Sequence, residues 1–131
     1  MRALVLDASV LGRWFWPPTK PASAALRLEF ETGQLHVTVP GLLFLELLNV
    51  AGRQLRWGLE PLQEFADRLQ RMKFEMLDPE LVAVAQWIAR GLTAYDATYV
   101  ALAAQLGIPL VSDDRAILEV APGIAVPMDR A

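Results

Sequence analysis

Five acidic side chains stand where a hydrolytic enzyme would need them. Asp7 closes the apolar run Ala3–Leu6, Glu46 interrupts the apolar stretch Gly41–Leu48, Asp96 stands at the opening of a helix-patterned segment, and Asp113 and Asp114 follow the apolar run Ile108–Val111. The chain has no Cys and one His, His36, which excludes thiolate chemistry, a disulfide framework and a multi-histidine metal site, and argues against a Ser-His-Asp triad. His36 lies in an apolar strand-like run and reads as a packed or half-exposed structural residue. Carboxylates unaccompanied by His or Cys are a hard oxygen ligand set, suited to Mg²⁺ or Mn²⁺ rather than Zn²⁺. Such an ion orients and deprotonates a water and stabilises an in-line displacement at phosphorus, so the chemistry implied is phosphodiester hydrolysis.

Each acid taken singly has a plainer reading. Asp96 follows Thr93 by three residues, the spacing of a capping box with Asp in place of Glu, and an acid at a helix N-terminus is favoured by ~0.3–1 kcal/mol. Ser112-Asp113-Asp114 fits the cap of a following helix, and Asp7 or Ser9 fits the N-cap of a short helix that Trp14-Phe15-Trp16 and Pro17-Pro18 bring to a halt. Glu46, Asn49, Arg53 and Arg56 share a helical face, which points either to bulk water or into a cleft shared with Asp7 and Asp96. A carboxylate among leucines costs several kcal/mol unless it is paired or bound to a cation.

The elements decide between these readings. Strands are predicted at Ala3–Leu6, Leu35–Val39, Lys73–Leu77, Ile108–Val111 and Gly123–Pro127, the last at a sheet edge because proline ends it. Helices are predicted at Pro21–Glu31, from Pro40 to about Arg56, at Leu59–Met72, from Asp78-Pro79 through Ala89, and from Ala94 to Leu106 with Gly107 as its stop. The first half of the Pro40 helix is apolar nearly all round and reads as buried. Strands alternating with helices give an α/β fold with a parallel sheet covered on both faces, and 131 residues fit one domain, residues 1–131. With the first and fourth strands as neighbours, Asp7, Glu46, Asp96 and Asp114 converge at the carboxyl edge of the sheet, where such folds collect ligands. Four ionised carboxylates raise one another's pKa, and a divalent cation removes the conflict.

The net charge of -3 argues against a broad basic surface, although ten of the twelve basic residues are Arg, the side chain suited to bidentate phosphate contacts. Hydrophobic residues make up 54% of the chain, which hints that a partner covers some apolar surface. No apolar run reaches the ~18 residues of a membrane span and no signal-peptide pattern opens the chain, so the expected address is cytoplasmic.

In this order Val5-Leu6-Asp7-Ala8-Ser9, Glu46-Leu47-Leu48-Asn49, Thr93-Ala94-Tyr95-Asp96-Ala97-Thr98-Tyr99 and Leu110-Val111-Ser112-Asp113-Asp114-Arg115 resemble the four acidic motifs of PIN-domain nucleases, and the length resembles that of the toxin members known as VapC. The resemblance implies a three-layer α/β/α sandwich around a five-stranded parallel sheet, a Mg²⁺- or Mn²⁺-dependent endoribonuclease, a homodimer, and inhibition by a small antitoxin. By position Asp7, Glu46 and Asp96 match the family's principal acids and Asp114 the fourth. Ser9 matches a hydroxyl residue near the metal, Asn49 a polar neighbour of Glu46, and Ser112 the usual Thr of the last motif, whose variable position Asp113 fills. RNA phosphates would meet Arg13, Arg53, Arg56 or Arg115 at the cleft rim, where the plainer reading is surface charge. Trp14, Phe15 and Trp16 would line an apolar groove for an antitoxin helix or a dimer interface, or pack under the second helix. Two other readings of such a domain are a housekeeping RNA-processing nuclease without antitoxin and a protein-binding module without activity. An aspartyl-phosphate phosphatase is disfavoured because Ser9 stands where it would need a second Asp, and a dinucleotide-binding fold because no G-x-G-x-x-G follows a strand.

Overall fold

Leu4, Val5 and Leu6 are all buried in β1 (Arg2–Leu6), the mark of a strand covered on both faces. The computed structural model describes residues 1–131. In it β1 pairs in parallel with β2 (Leu35–Val39) on one side and β4 (Leu110–Val111) on the other. The two-residue strands β3 (Glu75–Met76) and β5 (Ala125–Val126) extend the sheet beyond β2 and β4, giving the order β3-β2-β1-β4-β5 with every pairing parallel. The helices are α1 (Ala8–Leu11), α2 (Pro21–Glu31), α3 (Leu42–Asn49), α4 (Leu59–Arg71), α5 (Leu81–Ala89), α6 (Ala94–Leu106) and α7 (Arg115–Val120), and with the sheet they make the three-layer α/β/α sandwich.

Two features position the site. Leu6 lies opposite Val111 in the β1–β4 register, so the next residues, Asp7 and Ser112, leave the sheet side by side. Helix α6 leads into β4 and therefore runs antiparallel to the strands, which brings its first turn, with Asp96, to their carboxyl edge. Ala97, Ala101 and Ala103 are buried along α6, and such small side chains let the helix lie close to β1 and β4. Gly107 ends it at φ +68°, in the left-handed region where glycine carries no Cβ penalty.

The observed elements differ from the predicted ones in several places: β4 holds Leu110–Val111 of the expected Ile108–Val111 and β5 holds Ala125–Val126 of the expected Gly123–Pro127, each bounded by the pairing its neighbour offers. Strand β3 holds only Glu75–Met76 of the expected Lys73–Leu77, because only Thr38 and Val39 of β2 pair with it. Asp78 does not cap the following helix: its Oδ1 accepts from the Gly41 N–H at 2.9 Å, tying the exit of β3 to the exit of β2, and α5 starts at Leu81. The helix expected to reach Arg56 is α-helical only to Asn49 and then widens into a π-helical stretch, Val50–Gln54, with Leu55 N–H donating to Val50 O at 3.0 Å. Helix α3 is also less enclosed than its composition implies. Leu43 and Leu47 are buried, but Leu45 is 70% exposed, since only one side of α3 faces the core.

Candidate active site

Asp7 is the anchor. It is 4% exposed, and both its oxygens are engaged: Oδ1 accepts from Ser9 Oγ at 2.6 Å and from Val10 N–H at 3.2 Å, and Oδ2 accepts from the Ser112 hydroxyl. Ser112 Oγ in turn accepts from Asp114 N–H at 3.0 Å, and Ser9 Oγ from Asp113 N–H at 3.1 Å, so two serines bind the loop after β1 to the loop after β4. The Val10 bond also makes Asp7 the N-cap of α1; cap and site coincide. Burial pushes the Asp7 carboxyl up from 3.8 to about 6, against the pull of its hydrogen bonds to Ser112, Ser9 and Val10, and the charge of Asp114 adds to the rise.

The other acids form a row. Asp114 caps α7, its Oδ1 accepting from Ile117 N–H at 3.0 Å, and its charge acts on both Asp7 and Asp96. Asp96 has its N–H on Thr93 Oγ at 3.2 Å, the expected cap. Its pKa is raised by burial and then by Asp114. Glu46 is half-buried, and its Oε1 accepts from Tyr99 Oη at 2.5 Å; burial raises its pKa, Tyr99 opposes the rise and Asp96 adds to it. Glu46 therefore faces the cleft and not bulk water. Electrostatic neighbours run Asp7, Asp114, Asp96, Glu46 along the carboxyl edge of the sheet.

The remaining candidate residues scatter. Asn49 is exposed one turn beyond Glu46 and has no hydrogen bond to the acids. Asp113 turns away: its Oδ1 accepts from Met128 N–H at 3.1 Å and its Oδ2 lies 3.9 Å from Lys20 Nζ, so it ties down the C-terminal turn. Arg115 pairs with Glu119 at 2.9 Å on the surface. Arg13 borders a separate cleft with Thr19, Ser23 and Glu31, while Arg53 and Arg56 flank a notch at Gly52 and have no carboxylate partner. The aromatic cluster divides. Trp14 is 5% exposed and packs on Phe30 and Phe74, with ring centroids 5.5 and 6.2 Å away, as a core residue beside α2. Phe15 and Trp16 instead meet Phe65 edge-on at 5.0 and 6.0 Å, and Phe15, Trp57, Phe65, Glu64 and Arg68 line an open groove of about 430 Å³.

Sequence reasoning placed Tyr99 at the apolar spacing of its helix and at the end of the third acidic motif, and gave it no role of its own. It is 2% exposed, its pKa is raised by burial and then by Glu46, and its hydroxyl is the one donor on the Glu46 side chain. The available signal is chemical: a buried tyrosine needs a partner for its O–H, and Tyr99 stands one turn from Asp96.

The donor set fits a hard divalent cation. Every candidate donor atom is a carboxylate or hydroxyl oxygen, and three of the acids have pKa values raised by burial and, further, by a neighbouring carboxylate, a strain that positive charge would relieve. No three acids are drawn together as a finished cage. Mg²⁺ does not require one, since it is held through one or two carboxylates with waters and substrate phosphate completing its octahedron.

Comparisons with known proteins agree with this geometry. The PIN domain family model matches residues 4–122. The chain is 30% identical over 134 residues to the protein named Ribonuclease VapC3 of Pyrobaculum aerophilum, a match covering 95% of this chain and 98% of that one. Among solved structures it is similar to PAE2754 from Pyrobaculum aerophilum, with a TM-score of 0.72 at 25% identity over 98% of this chain and 91% of that one. It shares the fold of FitAcB from Neisseria gonorrhoeae, with a TM-score of 0.68 at 15% identity over 98% and 99% of the two chains. With four acids in order along the carboxyl edge of a five-stranded parallel sheet and a family match across nearly its whole length, the chain belongs to the PIN-domain family.

Proposed function

We propose that the chain is a metal-dependent endoribonuclease and the toxin of a toxin-antitoxin pair. The observation that carries this reading is the row Asp7, Asp114, Asp96, Glu46, with Asp7 clamped by two serines; the relative named a ribonuclease supports the choice of RNA. Asp7, Asp96 and Asp114 would hold Mg²⁺ or Mn²⁺ directly or through water, with Glu46 at its side. When bound, the ion supplies an activated water and neutralises charge developing on the phosphate. The chain's own residues do the rest. Ser9 and Ser112 hold Asp7 in one orientation. Glu46 takes the proton as water oxygen bonds to phosphorus and the bond to the leaving ribose oxygen breaks. Arg53 and Arg56, free of carboxylate partners, meet the backbone phosphates.

The groove lined by Phe15, Trp57 and Phe65, with Trp16 beside it and Glu64 and Arg68 at its rim, suits the apolar face of an antitoxin helix. A second copy of the chain completes the assembly. The test is incubation of the purified chain with assorted RNAs, with and without Mg²⁺ or Mn²⁺. Discrete cuts that require metal and fall by 10²-fold or more, roughly the cost of losing one transition-state group, in Asp7→Asn and Asp96→Asn are expected. Full cleavage by both variants with Mn²⁺ present would sink the assignment.

A further inference from the structure

We propose that Tyr99 is a positioning residue of the reaction: its buried hydroxyl holds the Glu46 carboxylate toward Asp96. This rests on the nuclease reading above. Tyr99 Oη donates to Glu46 Oε1 at 2.5 Å across a sequence separation of 53 residues, joining α6 to α3. Glu46 makes no ion pair with any cation of the chain and accepts no other side-chain or backbone hydrogen bond, so one contact sets its direction. Left alone, a half-buried glutamate with several rotatable bonds would swing toward water and away from the like charge of Asp96, whose effect on it is repulsive. The hydroxyl opposes that swing.

The arrangement is also self-referencing. Asp96 and Tyr99 lie three apart on α6 and so share one face. One turn carries a carboxylate and the next carries the donor that aims a second carboxylate at the first. Packing alone does not call for that hydroxyl, because Tyr99 is buried and a phenyl ring would fill the same volume. A buried O–H costs free energy unless it is bonded, and Glu46 is the acceptor that satisfies it.

The experiment compares wild type, Tyr99→Phe, Glu46→Gln and the double variant by two readouts: binding of Mn²⁺ alone, followed by the electron paramagnetic resonance of the free ion, and RNA cleavage resolved into kcat and KM. Tyr99→Phe is expected to lower kcat by roughly 10–100-fold, the usual cost of losing a group that orients a ligand, with KM for RNA little changed and Mn²⁺ binding weakened several-fold. In the Glu46→Gln background the same substitution should change Mn²⁺ affinity no further, because the group it aims has already lost its charge. Equal fractional losses in both backgrounds, or a Tyr99→Phe variant that cuts at the wild-type rate, would overturn the proposal. Should Tyr99→Phe not fold, 3-fluorotyrosine at this position keeps the packing; a ¹⁹F resonance that ignores Glu46→Gln overturns the proposal equally. If wild type cuts no RNA, the nuclease reading has failed; if wild type cuts, Glu46→Gln does not, and Tyr99→Phe matches wild type, only the Tyr99 assignment has failed.

Discussion

At Asp7 the burial of a carboxylate couples stability to pH. Its pKa in the folded chain, about 6, lies above the ordinary 3.8, so the native state binds the proton more tightly than the unfolded chain does. A group shifted in that direction stabilises fully below about pH 4, and its contribution is lost as pH rises through 6. The shift corresponds to about 3 kcal/mol at most. The Glu46 and Asp96 carboxyls are raised in the same direction, by burial first and then by a neighbouring carboxylate. Metal-free protein in EDTA should therefore lose thermal stability between about pH 4 and 6, and Asp7→Asn should flatten much of that slope; an unchanged slope in the variant would remove Asp7 as its source. The serine clamp gives a second prediction at this scale. Ser112→Ala leaves Asp7 Oδ2 without its donor inside the protein, a loss of about 1–3 kcal/mol in stability. It should also cut RNA cleavage by roughly 10–100-fold, as loss of ligand-orienting contacts does, and Ser112→Thr, which keeps the hydroxyl, should restore both.

Helix α3 shows how an element sets the reach of its side chains. Its α-helical part delivers Glu46 to the cleft, and the π-helical stretch then turns the chain so that Arg56 sits at φ +60°, a left-handed conformation that costs a side-chain-bearing residue about 1–2 kcal/mol. Strain of this kind concentrates at functional positions. Arg56→Gly should raise stability by about 1 kcal/mol in thermal unfolding, yet weaken RNA binding and reduce its salt dependence by about one released counterion. A variant neither more stable nor weaker in binding would leave Arg56 without a role. The same helix marks where the sequence was legible. Pro21–Glu31 opens on a proline and stops before Gly33, Leu35–Val39 is a bounded apolar run, Ala94–Leu106 lies between the Thr93 cap and Gly107, and all three appear as expected. Strands β3 and β5 are two residues each and owe their bounds to what β2 and β4 offer for pairing, which no local pattern contains. Asp7, Asp96 and Asp114 stood out because each lies at the end of an element, and Glu46 because it breaks an apolar run inside α3. The face of Glu46 was not legible, because it depends on Tyr99, 53 residues away. Asp113 was ambiguous for a similar reason: its partners, Met128 and Lys20, belong to distant turns.

On the scale of the whole molecule, one surface is more apolar than a lone chain would keep. Helix α5 has no charged residue from Leu81 to Ala89, and Leu81, Val82 and Ile88 are 83%, 71% and 43% exposed. Its inner side packs on α6, the helix that carries Asp96 and Tyr99, so its outer side lies one helix layer behind the candidate active site. Contiguous exposed apolar surface marks an interaction site, and a two-fold partner presenting the same patch is the simplest cover for it. A homodimer paired through α5 would bring two copies of the candidate active site into one assembly, and none of the residues lining the aromatic groove belongs to α5. The wild-type chain should sediment at twice 14.5 kDa. Val82→Glu places a charge in the centre of the patch and should give particles of 14.5 kDa. An exposed position tolerates such a change within about 0.5 kcal/mol of intrinsic stability, so the monomer should remain folded, with an unfolding midpoint that no longer depends on protein concentration. A wild type that stays monomeric at tens of micromolar, or a Val82→Glu variant that still dimerises, would move the interface off α5.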